Sequence, residues 1–360
     1  MPDKILFASV EFDRLSPDAT LPSRFKKMLN ELDLPATVKG KKVAIKMHVG
    51  RGIGYSTIHP LFVRDLVTKV RESGASRVFI TDQETSGGAA RGYTREYLGC
   101  PIVDMCGETG KYYYEKTVDF KNFRNVDVGG HIADADVLID LSHVKGHGAC
   151  GYGGAVKNIA MGCVTDRTRG QIHSLEGGIE WDESKCIRCD ECIVNCNHNA
   201  NHFTAEGKYE MNYHHCTMCQ HCYKVCPTGA ITMDTNHYKD FQTGMALATQ
   251  KCLEHFGAGN IIYINFLVQM TIMCDCWGFT TPSMVPDIGI LAGRDIVAIE
   301  KASLDMIHTE DFIANSVPKG HIMGEHGHLL ERIHGKNPFI QLEELQKIGM
   351  GEMDYELVTL

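Results

Sequence analysis

The sequence predicts an α/β protein with a mostly parallel sheet, wound by helices on both faces, and with a small α+β domain inserted into it. Two observations support this prediction. Apolar strand-like runs alternate with amphipathic helix-like segments over most of the 360 residues, and this alternation is typical of parallel sheets. A cysteine-rich segment then interrupts the alternation at 181–236. We therefore expect one α/β domain in two parts, 1–180 and 237–360, with the insert between them.

The predicted strands are short apolar runs, most of them bounded by glycine or charged residues. They are Ile5–Val10, Lys42–Met47, Arg77–Thr81, Asp136–Leu141, Asn260–Phe266 and Ile288–Leu291. The predicted helices are Pro60–Ser73, Tyr238–His255 and Asp295–Ile307. The first helix has the clearest ends, because proline is favoured in the first turn and glycine, here Gly74, is typical just after the last turn.

Polar residues follow four of the predicted strands at the point where each strand ends. They are His48 and Arg51, Asp82 and Glu84, the segment 142–158, and the segment 274–276. In open parallel sheets, ligands bind beyond the carboxyl ends of the strands. We therefore expect these four loops to line one crevice.

Eight of the fifteen cysteines occur in two copies of the pattern Cys-x-x-Cys-x-x-Cys-x-x-x-Cys. This spacing is typical of two [4Fe-4S] clusters, in which the fourth cysteine of each run binds the other cluster. The predicted ligand sets are Cys186, Cys189, Cys192 and Cys226 for one cluster, and Cys216, Cys219, Cys222 and Cys196 for the other. Zinc knuckles and disulfides are disfavoured, because neither requires this spacing twice. The segment resembles a bacterial-type two-[4Fe-4S] ferredoxin.

Composition limits the partners and the compartment. A formal net charge of -9 and the lack of a basic run argue against nucleic-acid binding. The longest apolar stretch, 261–273, is interrupted by polar residues and is too short to span a membrane. Met1 leads directly into the first predicted strand, without a visible signal peptide. Free thiols and oxygen-sensitive clusters then predict a reducing cytoplasm and an anaerobic host.

The segment 146–154 contains five glycines in nine residues. Glycine permits close backbone approach, which suits a loop whose amide groups bind an anion. Lys145, His147 and Lys157 flank the loop, and Arg169 and His173 follow it. The predicted cofactor-binding positions in and just after the loop are Gly151, Gly153, Gly154 and Asn158. The alternative is a tight structural turn, and the spacing excludes a P-loop.

Cys274 and Cys276 lie one residue apart after a predicted strand. Three interpretations stay open. The pair could bind a third metal or iron–sulfur centre, with Cys150 and Cys163 as candidate partners. It could be a redox-active dithiol, or it could be two small buried side chains.

Motifs on both sides of the insert are similar to the DUF362 family, in which no common reaction is established. They are Val43–Met47, Gly74–Asp82, Asp134–Asp140, His143–His147, Gly153–Asn158, Cys274–Gly278 and Val285–Ile299. The resemblance extends from about residue 40 to residue 310, so the family domain contains the ferredoxin-like segment as an insertion. It implies the α/β fold and a redox context, and it does not imply a substrate.

The stretch 151–157 also resembles a glycine-rich motif of the lactate racemase family, in which a lysine holds a nickel-pincer nucleotide. On this resemblance Lys157 is the cofactor lysine and His147 is a histidine of the crevice. The spacing of the glycines differs, and one short glycine motif has a high false-positive rate.

The leading hypothesis is an iron–sulfur oxidoreductase that exchanges low-potential electrons with a soluble redox protein. His48, Lys145, His147 and Lys157 are predicted to bind an anionic small molecule and to supply protons. The alternatives are a non-catalytic electron carrier that docks on a larger redox complex and a racemase-like enzyme. Flavin is not indicated, because no Gly-x-Gly-x-x-Gly follows the first strand. A homo-oligomer is compatible with the sequence.

Overall fold

The computed structural model describes residues 2–177, 179–196, 199–212, 216, 221–233, 237–257 and 259–360. One predicted cluster ligand, Cys219, lies outside these residues. Within them, the observed strands and helices agree in position with all six predicted strands and all three predicted helices to within about three residues.

The strands are β1 Asp3–Ser9, β2 Lys42–Lys46, β3 Arg77–Asp82, β4 Ile102–Asp104, β5 Tyr113–Phe120, β6 Phe123–Gly129, β7 Val137–His143, β8 Lys145–His147, β9 Gly151–Gly153, β10 Ile179–Trp181, β11 Asn201–Phe203, β12 Tyr209–Met211, β13 Ile231–Met233, β14 Ile261–Leu267, β15 Gly289–Gly293 and β16 Tyr355–Thr359. The α-helices are α1 Leu21–Glu31, α2 Leu34–Val38, α3 Pro60–Glu72, α4 Arg95–Leu98, α5 Gly130–Ala133, α6 Ala155–Gly162, α7 Asp166–Ser174, α8 Glu191–Val194, α9 His221–Val225, α10 Tyr238–Leu253, α11 Ile296–Asp305, α12 Leu329–His334 and α13 Ile340–Lys347. Short 3₁₀ helices are found at Pro17–Ala19, Ala89–Arg91, Asp275–Trp277, Thr309–Asp311 and Ala314–Ser316.

Eight strands form one large sheet in the order β16-β1-β15-β14-β7-β2-β3-β4. Both antiparallel pairs in this described sheet involve β15, and the other five pairs are parallel. The prediction of a mostly parallel sheet is therefore confirmed. The strand predicted at Ile288–Leu291, observed as β15, is antiparallel to both of its neighbours, β1 and β14. The chain can pass from β14 to an antiparallel β15 without a crossover helix.

Two hydrophobic cores cover the two faces of this sheet. Successive residues of β7, Leu138 and Ile139, belong to different cores, because neighbouring side chains of a strand point to opposite faces. Helices α6, α10, α11 and α13 pack on the face of Leu138, and α1 and α3 pack on the face of Ile139. A sheet covered on both faces explains the long apolar runs of its strands.

The cysteine-rich segment has its own small elements. Strand β10 pairs with β13 and β11 pairs with β12, both antiparallel, and helices α8 and α9 contact each other. Ala200 and Cys216 form a small buried cluster in this segment. None of the helices in the described part of the chain is long and apolar enough to cross a membrane.

One carboxyl group in the core, that of Glu300, is protonated at neutral pH because it is buried. Glu300 of α11 is fully buried, and its Oε1 atom accepts a hydrogen bond of 3.0 Å from the backbone N–H of Val156. Burial raises the pKa of Glu300 to about 8. A Cβ atom on Gly154 would lie 2.6 Å from Oε2 of this carboxyl group, so glycine is required at this position by the packing.

We predict that Glu300→Gln stabilises the protein increasingly as the pH rises. Because the pKa of Glu300 is raised in the folded state, its stabilising effect is complete below the ordinary carboxyl pKa and is lost as the pH rises through about 8. Thermal unfolding of the wild type and the variant at about pH 5 and about pH 9 measures this difference. The matched control is Glu325→Gln, whose side chain is 92% exposed. A difference between Glu300→Gln and wild type that does not change with pH would contradict the prediction.

Candidate functional site

The four loops expected to share a crevice line one cavity at the carboxyl ends of β2, β3, β7 and β14. The cavity encloses about 830 Å³, part of which is open to solvent. Its lining residues are Lys46, His48, Arg51, Asp82, Gln83, Glu84, His143, His147, Gly153, Gly154, Lys157, Asn158, Met161, Gly162, Arg169, His173, Cys274, Asp275 and Cys276. The parallel strands bring these loops together because their carboxyl ends meet at the same edge of the sheet.

A buried polar network lies at the base of this cavity. Lys46 Nζ donates hydrogen bonds to Asp82 Oδ1 at 3.0 Å and to Asn158 Oδ1 at 2.6 Å. Asn158 Nδ2 in turn donates to Asp140 Oδ1 at 2.8 Å. Although burial would raise the pKa of Asp82, the charges of Lys46 and His48 hold it well below its ordinary value. The side chain of Asn158, predicted to bind a cofactor, therefore links β2, β7 and α6.

A buried carboxylate orients the ring of His48. Its Nδ1 atom lies 2.8 Å from Asp82 Oδ2, which also accepts the backbone N–H of Val49. A carboxylate at Nδ1 favours the tautomer in which Nε2 carries the lone pair. The Nε2 atom is buried and has no hydrogen-bond partner among the residues that the structure describes, although the ring lines the cavity. An Asp82–His48 pair of this kind can accept or donate a proton at Nε2.

A second buried network holds the loop after β14. Lys145 Nζ donates to Asp275 Oδ1 and to Ser56 Oγ, at 2.6 Å each. His143 Nδ1 lies 3.2 Å from Asp275 Oδ2. Despite burial, His143 and Lys145 hold the pKa of Asp275 well below its ordinary value. Lys145 is 1% exposed and does not line the cavity, so the structure gives this predicted catalytic residue a position that anchors Asp275.

Asp275 stands between the two cysteines of the crevice. Cys274 and Cys276 are buried, and a disulfide joins their sulfur atoms in this structure. Lys157 Nζ lies 3.3 Å from each sulfur. The ligand atoms of His147, Cys274 and Cys276 all lie within 4.8 Å of one another, the spacing of a possible metal site.

The candidate third-centre ligand Cys150 is placed elsewhere. Its Sγ atom lies 3.3 Å from His147 Nδ1 and donates to the carbonyl oxygen of Tyr152 at 3.0 Å. Cys150 and Cys163 are both fully buried and neither lines the cavity. The His147 Nδ1 atom also accepts the backbone N–H of Ala149 at 3.2 Å. The neutral ring of His147 therefore carries its proton on Nε2.

The glycine-rich loop is a short hairpin in which β8 and β9 pair antiparallel. Gly153 and Gly154 line the cavity, whereas Gly151 does not. Gly151 has a φ of +77°, and a Cβ atom there would lie 2.5 Å from the carbonyl oxygen of Lys336. The loop therefore combines a tight structural turn with two glycines at the cavity wall, and its predicted role in anion binding stays a prediction.

Four cations face the cavity: Lys46, Arg51, Lys157 and Arg169. Sequence reasoning did not select Lys46, although a lysine inside an otherwise apolar strand is a signal for a buried partner. Arg169 is largely buried, its Nη1 donates to Gln83 Oε1 at 2.9 Å, and its Nε has no partner among the described residues. Burial, with smaller contributions from Arg169 and Lys46, lowers the pKa of Lys157 to about 8.

The first predicted ligand set meets at a second, smaller cavity. Cys186, Cys189, Cys192 and Cys226 all line it, although Cys226 belongs to the second cysteine run. In the other predicted set, Cys196 packs against the buried cluster that contains Cys216. The backbone N–H of Ala200 donates to Cys196 Sγ at 3.2 Å.

The cysteine-rich segment reaches the large cavity. Asn212 lies with Cys276, Trp277, Arg51 and Arg169 in the lining of one groove. The carbonyl oxygen of Asn212 accepts the backbone N–H of Cys216 at 3.0 Å. A residue hydrogen-bonded to a predicted cluster ligand therefore shares a groove with Cys276, one of the two paired cysteines.

Comparison with known proteins identifies a family. The family model described as "Domain of unknown function (DUF362)" matches residues 43–305. Pyruvate synthase subunit PorD from Methanocaldococcus jannaschii is 33% identical over 51 residues, which are 14% of this chain and 59% of that protein. Archaeal-type glutamate synthase [NADPH] from Thermotoga maritima is 39% identical over 62 residues, 17% of this chain and 12% of that protein. The chain thus spans less than two thirds of either relative.

Two solved structures show a weak likeness. A crystal structure of a Thermotoga maritima protein matches with a TM-score of 0.41 and 12% identity, over 70% of this chain and 52% of that chain. The lactate racemase apoprotein from Thermoanaerobacterium thermosaccharolyticum matches with a TM-score of 0.39 and 11% identity, over 79% of this chain and 55% of that chain. These scores establish neither a shared fold nor a shared activity.

We predict that Asp275→Asn destabilises the protein by about 3–5 kcal/mol, because it leaves the buried ammonium of Lys145 without its carboxylate. Chemical unfolding of the two proteins measures the loss. Asp119→Asn is the matched control, since the Asp119–Arg124 pair is exposed and we expect no measurable change there. Equal stabilities of Asp275→Asn and wild type would show that this pair does not hold the loop.

We also predict that Lys157 reacts as an amine with a pKa of about 8. Its acetylation rate by a limiting amount of acetic anhydride should reach half of its maximum near this pH, because only the neutral amine reacts. Peptide mass spectrometry over about pH 6 to about pH 11 measures the rate for each lysine. A midpoint at the ordinary lysine value of about 10.4 would contradict the prediction.

Proposed function

The chain belongs to the DUF362 family, whose function is unknown, and we propose that it is an iron–sulfur oxidoreductase. Low-potential electrons would pass through two [4Fe-4S] clusters in the cysteine-rich segment to the large cavity. An anionic small molecule bound in the cavity would accept these electrons and be protonated. The observation that carries the proposal is the shared groove of Asn212 and Cys276, because it supports an electron path from the predicted cluster segment to the cavity, which Cys276 also lines.

The residues present fit the clusters. Four cysteines from two separate runs line one small cavity, which is the set that crossed ligation requires. The Ala200 N–H bond to Cys196 is of the kind that tunes cluster potentials. When bound, each cluster would supply one-electron transfer at low potential. The first cluster would be held by Cys186, Cys189, Cys192 and Cys226, and the second by Cys216, Cys219, Cys222 and Cys196.

The cavity supplies what a substrate would need. Lys157 and Arg169 present positive charge to an anion, and cations this buried favour an anionic partner. His48 holds or releases a proton at Nε2 while Asp82 orients its ring. A simple electron carrier requires neither an anion site nor an oriented acid–base pair.

The relatives favour an electron-transfer partner. One matched relative is a subunit of pyruvate synthase and another is a glutamate synthase that uses NADPH. A soluble redox protein would therefore exchange electrons with the cysteine-rich segment. The same likeness to a subunit supports a second candidate, a carrier that docks on a larger enzyme and has no substrate of its own.

We predict that the protein purified without oxygen holds about eight irons and eight sulfides per chain. Cys226→Ser should lose the cluster of the first cysteine run and therefore keep about four irons, because the fourth cysteine of each run binds the other cluster. Iron and sulfide analysis with EPR of the reduced protein measures both numbers. Cys252→Ser is the control, since Cys252 is fully buried in α10 away from both runs. A wild-type protein without iron, or an unchanged count in Cys226→Ser, would contradict the ligand assignment.

We predict that His48→Gln slows reoxidation of the reduced protein by a panel of small carboxylate acceptors about 10²–10⁴-fold, the usual loss for a general acid. The absorbance of the clusters reports the rate after stopped-flow mixing. Reoxidation by a redox protein should stay unchanged, because that transfer does not require the cavity. His326→Gln is the control, with a side chain that is 95% exposed. If no small acceptor reoxidises the wild type faster than buffer, the carrier function is supported instead.

A further inference from the structure

We infer that Cys274 and Cys276 form a redox-active dithiol–disulfide couple in the cavity, which takes up two electrons and two protons. This inference rests on the proposed function, because reduced [4Fe-4S] clusters supply the electrons. It assigns the sulfur pair a role that family membership leaves undefined, and it selects one of the three interpretations that the sequence left open.

The backbone between the two cysteines is anchored independently of the bond between their sulfur atoms. Asp275 Oδ1 accepts hydrogen bonds from Lys145 Nζ at 2.6 Å and from Ser56 Oγ at 3.1 Å. These partners lie on β8 and on the loop after β2, so two separate segments of the chain hold Asp275. The loop can therefore keep both cysteines in place after the disulfide opens, which a reversible couple requires.

A cation stands beside both sulfur atoms. Lys157 Nζ lies 3.3 Å from Cys274 Sγ and 3.3 Å from Cys276 Sγ. An adjacent ammonium group stabilises a thiolate more than a disulfide sulfur, and it therefore favours the reduced state. Burial already lowers the pKa of Lys157 to about 8 in the disulfide form. A thiolate formed next to Lys157 would raise this pKa again, so electron uptake and proton uptake are coupled here.

The same contacts disfavour a metal ion on this pair. Of the three candidate ligands, His147 uses Nδ1 to accept the N–H of Ala149, which leaves the proton of its neutral ring on Nε2. A divalent cation bound to both sulfurs would also lie close to the Lys157 ammonium and would be repelled by it. Cys150, the fourth possible ligand, faces His147 Nδ1 and the carbonyl of Tyr152.

The two clusters of the proposed function would supply the electrons that reduce the Cys274–Cys276 disulfide, and solvent would supply the protons. Two electrons would arrive one at a time, one from each reduced cluster, and each cluster would thereby lose one electron. The Cys274–Cys276 S–S bond breaks, one sulfur takes a proton from solvent in the open cavity, and the other remains a thiolate. The neutral amine of Lys157 takes the second proton from solvent and pairs with that thiolate, so the sum is a disulfide, an amine, two electrons and two protons giving a thiol, a thiolate and an ammonium group.

One groove brings Cys276 close to the neighbourhood of the second predicted ligand set. Cys276 lies in the lining of the groove that also contains Asn212. The backbone of Asn212 contacts the predicted cluster ligand Cys216 through a 3.0 Å hydrogen bond. The second predicted cluster is therefore the one placed to deliver electrons to the sulfur pair.

The test counts thiols and does not rely on turnover. The protein with a full iron content is treated with dithionite without oxygen, quenched with an alkylating reagent in denaturant, and digested. We expect two alkyl groups on the peptide that contains Cys274 and Cys276 after reduction, and none before it. The iron-free protein, treated in the same way, should keep the pair oxidised over the same time.

A redox titration with dithiothreitol tests the role of Lys157 without the clusters. We expect Lys157→Met to lower the equilibrium constant for reduction of the pair at least tenfold, which is about 30 mV for a two-electron couple. The control is Lys347→Met, whose side chain is 64% exposed, and it should leave the constant unchanged. Equal constants for Lys157→Met and wild type would overturn the assignment of Lys157.

The outcomes separate the two proposals. A protein without iron whose sulfur pair is still reduced by dithiothreitol would overturn the proposed function and support the couple. A protein whose clusters are reduced by EPR, while Cys274 and Cys276 stay joined, would overturn the couple and leave the iron–sulfur function intact. Stoichiometric zinc or nickel that is lost in a Cys274→Ser, Cys276→Ser variant would overturn the couple in favour of a metal site.

Discussion

The buried ion pair between Lys46 and Asp82 is the interaction on which the cavity depends. It joins the carboxyl ends of β2 and β3, and Asn158 extends it to β7 and α6. Removing one partner of such a pair costs about 3–5 kcal/mol, because the other charge is left uncompensated. The pair therefore fixes the spacing of β2, β3 and β7, and His48 and Lys157 both line the cavity that these strands border.

A second buried ion pair, Lys145 with Asp275, anchors the loop after β14. The two networks have different consequences, although both consist of a lysine and an aspartate out of contact with water. The first orients the imidazole of His48, and the second holds the two cysteines on either side of Asp275. Lys46 and Lys145 are paired within the two networks, and Arg51 pairs with Glu84 at 2.7 Å. Among the described residues that line the cavity, Lys157 and the Nε atom of Arg169 are therefore the cationic groups left to act on sulfur or on a ligand. The imidazole of His48, the two cations and the sulfur pair thus line one cavity without sharing their supporting contacts.

In the proposed function, the cysteine-rich segment would supply electrons to this arrangement. It lies between the two parts of the family domain in sequence and reaches the cavity through the groove of Asn212 and Cys276. An electron carrier by itself would have no reason to extend into an anion site. The proposed function and the inferred dithiol both rest on the groove of Asn212 and Cys276. The proposed function gives a role to His48 and the cavity cations, and the dithiol gives a role to Cys274 and Cys276.

The sequence predicted the positions of the main strands, the two regularly spaced cysteine runs and the four loops that form the cavity, because each depends on local periodicity or on parallel strand order. It did not determine which polar side chains pair. Lys145 was expected in the cavity and instead anchors Asp275, Lys46 was not selected, and β15 runs antiparallel. Lys145 and Asp275 are 130 residues apart, and Lys46 and Asn158 are 112 apart. Only the tertiary structure decides such pairs, since a buried charge takes the partner that packing brings within hydrogen-bond distance, whatever its position in the chain.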